Sequence, residues 1–359
     1  MIDRALTTDS PYESIENTDR IALLRLKAGI HFLYDQPDEI NDCLKKARTL
    51  LNSGNVVNAP YYITCITSLS LWCEGRFFEA AEHASIAINQ AAIAGYSSIS
   101  APFDAYMVLA RCQLELSQID KAIETSTLLF EKSSESNIWP WALMAEGTSA
   151  RIRITMGQIP QMMAVIEQQR ERLHEIKAPH ELSWLIDVSE VFLRFVLDDW
   201  DRTEELLKRM PKIEMVRQMD MNVKFQSDPK KIPSFVEGLP ENTPREKVSK
   251  FLYQATINMD SENLALGYLN KALDVGAEVG YHEYFVRQHR LYSIMVKAAA
   301  AQPTVFRESV LNEMTERIQA RNSDTGALEE KLTTRELEIL KHLTTGVPLS
   351  TIAKQLHIS

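Results

Sequence analysis

Apolar and polar positions keep a helical period along most of the chain. After Gly75 the phrase Arg-Phe-Phe-Glu-Ala-Ala-Glu-His-Ala-Ser-Ile-Ala places Ala80, Ala84 and Ala87 at i, i+4 and i+7, one stripe of small residues on one helix face. The phrase returns after Ser117 with Ala122, Ser126 and Leu129, and after Gly157 with Met162, Ile166 and Gln169. Weaker copies follow Asp35 (Ile40, Leu44, Ala47), Asp198 (Thr203, Leu207, Met210) and Asp260 (Ala265, Leu269, Ala272). Turns are thus expected at 35, 75, 117, 157, 198 and 260, with gaps of 40, 42, 40, 41 and 62 residues. A second register lies seven residues before each turn, at Ala28, Ser68, Ala110, Ala150, Val191 and Tyr253, and four of these six are small. Helices that cross closely need small residues at the crossing. The two registers together predict antiparallel helix pairs repeating about every 40 residues over 20–300.

A helix pair with two apolar sides cannot bury both alone; stacking on its neighbours does so, and the expected fold class is an all-α superhelix, an α-solenoid. The small-x(3)-bulky/small-x(2)-small pattern of Ala80-Ala84-Ala87 and Ala265-Leu269-Ala272 resembles that of tetratricopeptide repeats. The units are longer than that family's repeat of about 34 residues, and Gln169 stands where a small residue is usual. The 62-residue gap holds Pro211, Pro229, Pro233, Pro240 and Pro244. Proline removes a helix donor, so about 211–244 reads as an irregular or partly helical insertion. In a superhelix of this kind the first helix of each pair lines a concave groove. Arg25, Phe32, Tyr62, Trp72, Asp104, Arg111, Arg151 and Phe192 are expected there. Arginine and aromatic side chains on such a wall suit a small-molecule effector such as a sugar or an anion, or an extended peptide of a partner protein. They equally suit packing between repeats.

Beyond Ala272, 282–300 and 304–321 read as two further helices that complete a repeat domain over 1–321, and 322–331, with Asn322, Ser323, Asp324 and Gly326, reads as a linker. The pattern then changes. Thr333 and Glu336 have capping-box spacing, Leu337, Leu340 and Leu343 form a core stripe, and Gly346 suits a left-handed helix end. A second short helix follows with Ile352, Ala353 and Leu356 inward.

This end resembles the LuxR-type helix-turn-helix. The family phrase LTxRExxVLxxLxxGxxxxxIAxxLxxS is met by Leu332, Thr333, Arg335, Glu336, Leu340, Leu343, Gly346, Ile352, Ala353, Leu356 and Ser359, with Ile339 in place of valine. Pro348 departs from the usual Ser/Thr cap. The resemblance covers 332–359 and stops at the turn before the recognition helix, the helix that reads bases. The base-reading residues therefore have no counterpart. Candidate phosphate contacts are Arg335, Ser350 and Lys354. Repeats followed by this motif resemble the C-terminal part of the MalT-like bacterial regulators, as does Lys271-Ala-Leu-Asp-Val-Gly-Ala-Glu-Val-Gly-Tyr281. The resemblance implies a transcription regulator whose repeat superhelix senses an effector or partner and couples it to DNA binding, this chain being a fragment of the whole. DNA is expected to bind only through the completed motif. The alternative is a repeat scaffold working through protein contacts alone.

Composition narrows the choice. Among 359 residues only 12 are glycine, against folds rich in tight turns, and no Gly-Lys dipeptide occurs, so no phosphate loop and no cofactor is expected in this chain. With 39 Lys and Arg against 49 Asp and Glu, the net charge is −10, and bulk electrostatics do not favour nucleic acid. Cys43, Cys65, Cys73 and Cys112 have neither metal nor redox spacing and read as reduced packing residues. His282 and His289, seven apart on an expected helix face, do not complete a metal site. No nucleophile elbow is present, and an enzyme is not expected. No signal-like or membrane-length apolar run occurs, which points to a cytoplasmic protein without a membrane partner.

Overall fold

One capping device turns the chain at four of the early hairpins. Asp35, Gly75, Ser117 and Gly157 each take a left-handed backbone conformation, with φ of 51°, 82°, 55° and 75°. The next amide then donates to the carbonyl five residues back: Gln36 to His31 (2.9 Å), Arg76 to Leu71 (3.0 Å), Gln118 to Gln113 (2.8 Å) and Gln158 to Arg153 (3.0 Å). This closure satisfies carbonyls that a helix end leaves open.

The computed structural model describes residues 16–52, 59–96, 100–175, 182–197, 199–227 and 236–331. Among them every regular element is a helix. Five hairpins come first: α1 (Asn17–Leu33) with α2 (Pro37–Asn52), α3 (Ala59–Glu74) with α4 (Phe77–Ala94), α5 (Phe103–Glu115) with α6 (Ile119–Glu135), α7 (Trp139–Thr155) with α8 (Ile159–Glu175), and α9 (Trp184–Val196) with α10 (Trp200–Arg209). Then come α11 (Glu214–Ser227), the pair α12 (Pro244–Ile257) and α13 (Glu262–Val279), the short α14 (Glu283–Val286), a 3-10 turn (His289–Leu291), α15 (Tyr292–Ala301) and α16 (Val305–Lys331). Five of the turn positions read from the sequence, 35, 75, 117, 157 and 260, fall between the two helices of a pair; Asp198 lies outside the described residues.

The small-residue stripes are the packing faces. Ala80, Ala84 and Ala87 are sealed from solvent, and so are their counterparts in the other five pairs, Gln169 among them. In the second register Ala28, Ser68, Ala110, Ala150 and Val191 are buried and Tyr253 is half-buried. Ser126 shows how closely the helices approach: its hydroxyl donates to the Ala145 carbonyl of α7 at 2.8 Å. First helices pack in series, α1 on α3, α3 on α5, α5 on α7 and α7 on α9, while the second helix of each of the first four pairs lies against its own partner and the next first helix.

The sixth pair does not continue the series. It folds back, so that α12 lies on α3, α13 on α4 and α14 on α5. Gly75 marks the contact: a Cβ there would lie 2.9 Å from the Arg245 amide nitrogen and 2.8 Å from the Tyr281 ring. The insertion that precedes this pair contains α11, and Pro244 ends it as the first residue of α12. There Thr243 and Glu246 form a reciprocal capping box.

Three readings change. The stretch 282–300 is not one helix, because α14 ends at Val286 and a 3-10 turn precedes α15. His282 and His289 therefore do not share a helix face; His282 pairs through Nε2 with the Ser309 hydroxyl at 2.8 Å. The expected linker 322–331 is helical, because α16 runs on to Lys331 through Ala327-Leu-Glu-Glu, all good helix formers. The chain divides into two compact units at Leu311 and Asn312. The four cysteines are buried and unbonded.

Candidate functional site

The residues expected in the groove separate into two groups. Arg25 of α1 and Asp104 of α5 form the first, a buried bidentate ion pair with contacts of 2.8 and 2.7 Å. Arg25 also donates to the Ala101 carbonyl at 2.6 Å, and only 5% of it is exposed. Burial opposes its charge and Asp104 more than restores it, so its affinity for the proton rises. Tyr61 completes this knot, donating to the Ser100 carbonyl at 2.7 Å. Tyr62 lies over Tyr61 and Tyr96 with ring centroids 5.0 and 6.2 Å away. Arg25 and Asp104 satisfy one another and are not open to a ligand. They clamp α1 to α5.

The second group is Trp72, Arg111, Arg151 and Phe192, together with Phe32. The Arg111 guanidinium of α5 lies 5.5 Å from the Phe32 ring centroid on α1 and 5.3 Å from that of Trp72 on α3. Phe32 and Trp72 meet edge to face at 5.2 Å. Arg151 of α7 lies 4.7 Å from the Phe192 ring and bonds Glu115 at 3.4 Å.

The folded-back segment from α12 to the end of α14 brings two more arginines, which the repeat register did not place here. Arg245 stands 4.2 Å over the Trp72 ring, donates to the Trp72 carbonyl at 2.8 Å and lies 3.7 Å from Asp35. Arg287 donates to both carboxylate oxygens of Glu115, at 3.0 and 3.3 Å, and lies 3.5 Å from Glu283, which Thr155 also reaches at 3.3 Å. No sequence signal links Arg245 or Arg287 to Trp72 or Glu115, because each contact spans more than 170 residues.

Four guanidinium groups thus meet three carboxylates, and the pairing is uneven. Arg151, Arg245 and Arg287 each have an acidic neighbour. Arg111 makes no hydrogen bond or ion pair among the described residues; its Nε is buried without an acceptor, as is the indole Nε1 of Trp72. Burial first, then Arg151 and Arg245, push the Arg111 guanidinium down to about 9, and burial with Arg287 pushes Arg151 down to about 10. Both remain charged at neutral pH. The local field is positive, although the whole chain carries −10.

Two surface depressions lie elsewhere. One of about 330 Å³ is lined by Phe78, Glu82, Gln113 and Lys121, and one of about 500 Å³ by Asn41, Lys45, Arg48 and Ser70. Neither contains Trp72 or Arg111. Buried donors call for an acceptor, whether a water or a ligand, since leaving them unmet costs about 1–3 kcal/mol each. Arg335, Ser350 and Lys354 lie outside the described residues. No family model matches the chain, and comparison with curated proteins gives no match either. Among the described residues no helix is long and apolar enough to cross a membrane.

Proposed function

We propose that this chain is part of a transcription regulator of the MalT-like, LuxR-type class. Its tetratricopeptide-like helix pairs sense an effector or partner, and its C-terminal motif belongs to a DNA-binding helix-turn-helix. One observation carries this reading: the run of matches from Leu332 through Arg335, Glu336, Gly346, Ile352 and Ala353 to Ser359, each at the spacing of the helix-turn-helix phrase. The repeating helix pairs support it, since a stacked array offers an extended surface for a signal. A cytoplasmic location follows from the role.

The motif explains how DNA would be held. A recognition helix enters the major groove, and the helix before it is positioned by phosphate contacts, for which Arg335, Ser350 and Lys354 have suitable groups. From 327 to 359 four acidic side chains balance four basic ones, so these contacts alone give little affinity. The test is selection from a random duplex library at physiological salt. Residues 1–359 should enrich no sequence. The same chain extended by about 30 residues of a LuxR-type recognition segment should enrich one. Arg335→Ala with Lys354→Ala should then weaken binding to all sequences alike. Selective binding by 1–359 alone would overturn the incomplete motif, and failure of the extended chain would overturn the regulator reading.

A further inference from the structure

Arg111 is the arginine of the inner helices whose environment is paradoxical. It sits where α1, α3 and α5 meet, against both the Phe32 and Trp72 rings, which also touch each other. Arg151 and Arg245 repel its charge more than Asp35 attracts it, and no carboxylate bonds it among the described residues. On the Trp72 ring that the guanidinium faces, the indole N–H also lacks an acceptor among the described residues. Both groups can only donate, so whatever completes this place must accept hydrogen bonds, and the surplus positive charge selects an anion. The two unmet nitrogens are themselves enclosed, but Arg111 and Trp72 are only half-buried and the Arg151 and Arg245 side chains keep 18% and 23% of their surface exposed, so approach is to the terminal guanidinium nitrogens of Arg111.

We propose that Arg111 and Trp72 anchor a small organic anion, a carboxylate or phosphate, at the junction of α1, α3 and α5. Arg111 supplies the charge-assisted donors, the indole of Trp72 a neutral donor, and Phe32 holds the guanidinium plane by stacking. Arg245 fixes the Trp72 main chain from the folded-back pair. A bound anion would relieve repulsion that reaches both α5 and α12, and so favour the closed arrangement of the sixth pair. The proposal deepens the sensor reading by naming its effector class. It rests on that reading only for its biological meaning, because the titration below reads the site itself and the DNA selection reads the motif.

The test uses residues 1–359 at constant ionic strength, with calorimetric titration and thermal melting against inorganic phosphate, succinate and neutral dimethyl succinate. Phosphate or succinate should bind and raise the melting temperature, while the diester stays silent; the arm that responds identifies the headgroup. Arg111→Met keeps the apolar stem and removes the repelled charge. Without anion it should melt no lower than the wild type, and its anion affinity should fall about tenfold or more. Trp72→Phe keeps the ring, removes the indole N–H and should weaken binding by a smaller factor. The proposal fails if neither anion binds, or if Arg111→Met binds as the wild type does. It also fails if Arg111→Met melts well below the wild type in anion-free buffer, because the guanidinium would then be structural.

Discussion

Arg25 and Arg111 lie on the first helices of the first and third pairs and meet opposite surroundings. Arg25 is held by Asp104, 79 residues away, and Arg111 by aromatic faces alone. The helical register places both side chains on inner helices, and there sequence reasoning stops. Whether an arginine is spent on structure depends on which acid folds beside it, a contact no local pattern encodes. Glu190 shows the same logic with the sign reversed. Its side chain is 1% exposed beneath Arg170, Arg194 and Arg202. Burial opposes its charge, but the arginines, Arg170 foremost, hold its carboxyl below the usual carboxylate range. A depressed folded value contributes stability that is full above the unfolded value, about 4.3, and is lost as the pH falls through the folded one. Urea midpoints taken from about pH 6 down to about pH 3 should therefore fall more steeply for the wild type than for Glu190→Gln, which lacks this proton linkage. Parallel curves would show that the arginines do not stabilise the Glu190 anion.

At the scale of elements, much was legible. Hairpin ends follow from local rules: a residue that tolerates the left-handed region, then a helix whose stripe begins five residues on. Gly75 and Gly157 announce this openly, whereas Asp35 and Ser117 reach positive φ without glycine and were found only through the period. The crossing register gives a quantitative test. Ala84 and Ala110 have no exposed surface. Replacing either with Leu forces three extra carbons into a filled crossing and should cost about 1–3 kcal/mol, read as a lower midpoint in chemical unfolding. Unchanged midpoints in both variants would mean that these helices do not cross there. What the pattern missed lies near the end of the sixth pair. At α14 the backbone is set by docking: the His282 amide, just before the helix, donates to the Glu115 carbonyl at 3.0 Å, and the Phe285 ring within it presses on Gly276. Tertiary contact overrides a sequence that reads as continuous helix.

At the scale of the first unit, the folded-back pair changes how the helices should unfold. A linear repeat array is held by contacts between neighbours, so it can open from either end one repeat at a time. Here the sixth pair and the α14 segment after it also grip the first three pairs, through Arg245 on Trp72 and Asp35 and through Arg287 on Glu115. These links join residues far apart in sequence and should make opening of the early hairpins and of α12–α14 one event. The 62-residue gap was visible in the sequence as a break in the period, but its purpose was not: the extra length, carrying α11, lets the chain return. Arg245→Ala with Arg287→Ala tests this. Each removes one member of a hydrogen-bonded, partly buried pair, a loss of about 1–3 kcal/mol apiece, while the helices themselves keep their caps and stripes. Amide exchange should then separate. In the wild type the amides of α12 and α13 should exchange as slowly as those of α3 and α5. In the double variant α12 and α13 should exchange faster, while α3 to α6 keep most of their protection. Uniform loss of protection over all six pairs would show instead that the two arginines support one undivided core. No change at all would show that the fold-back is held by Tyr281 and Phe285 packing, with the arginines adding nothing.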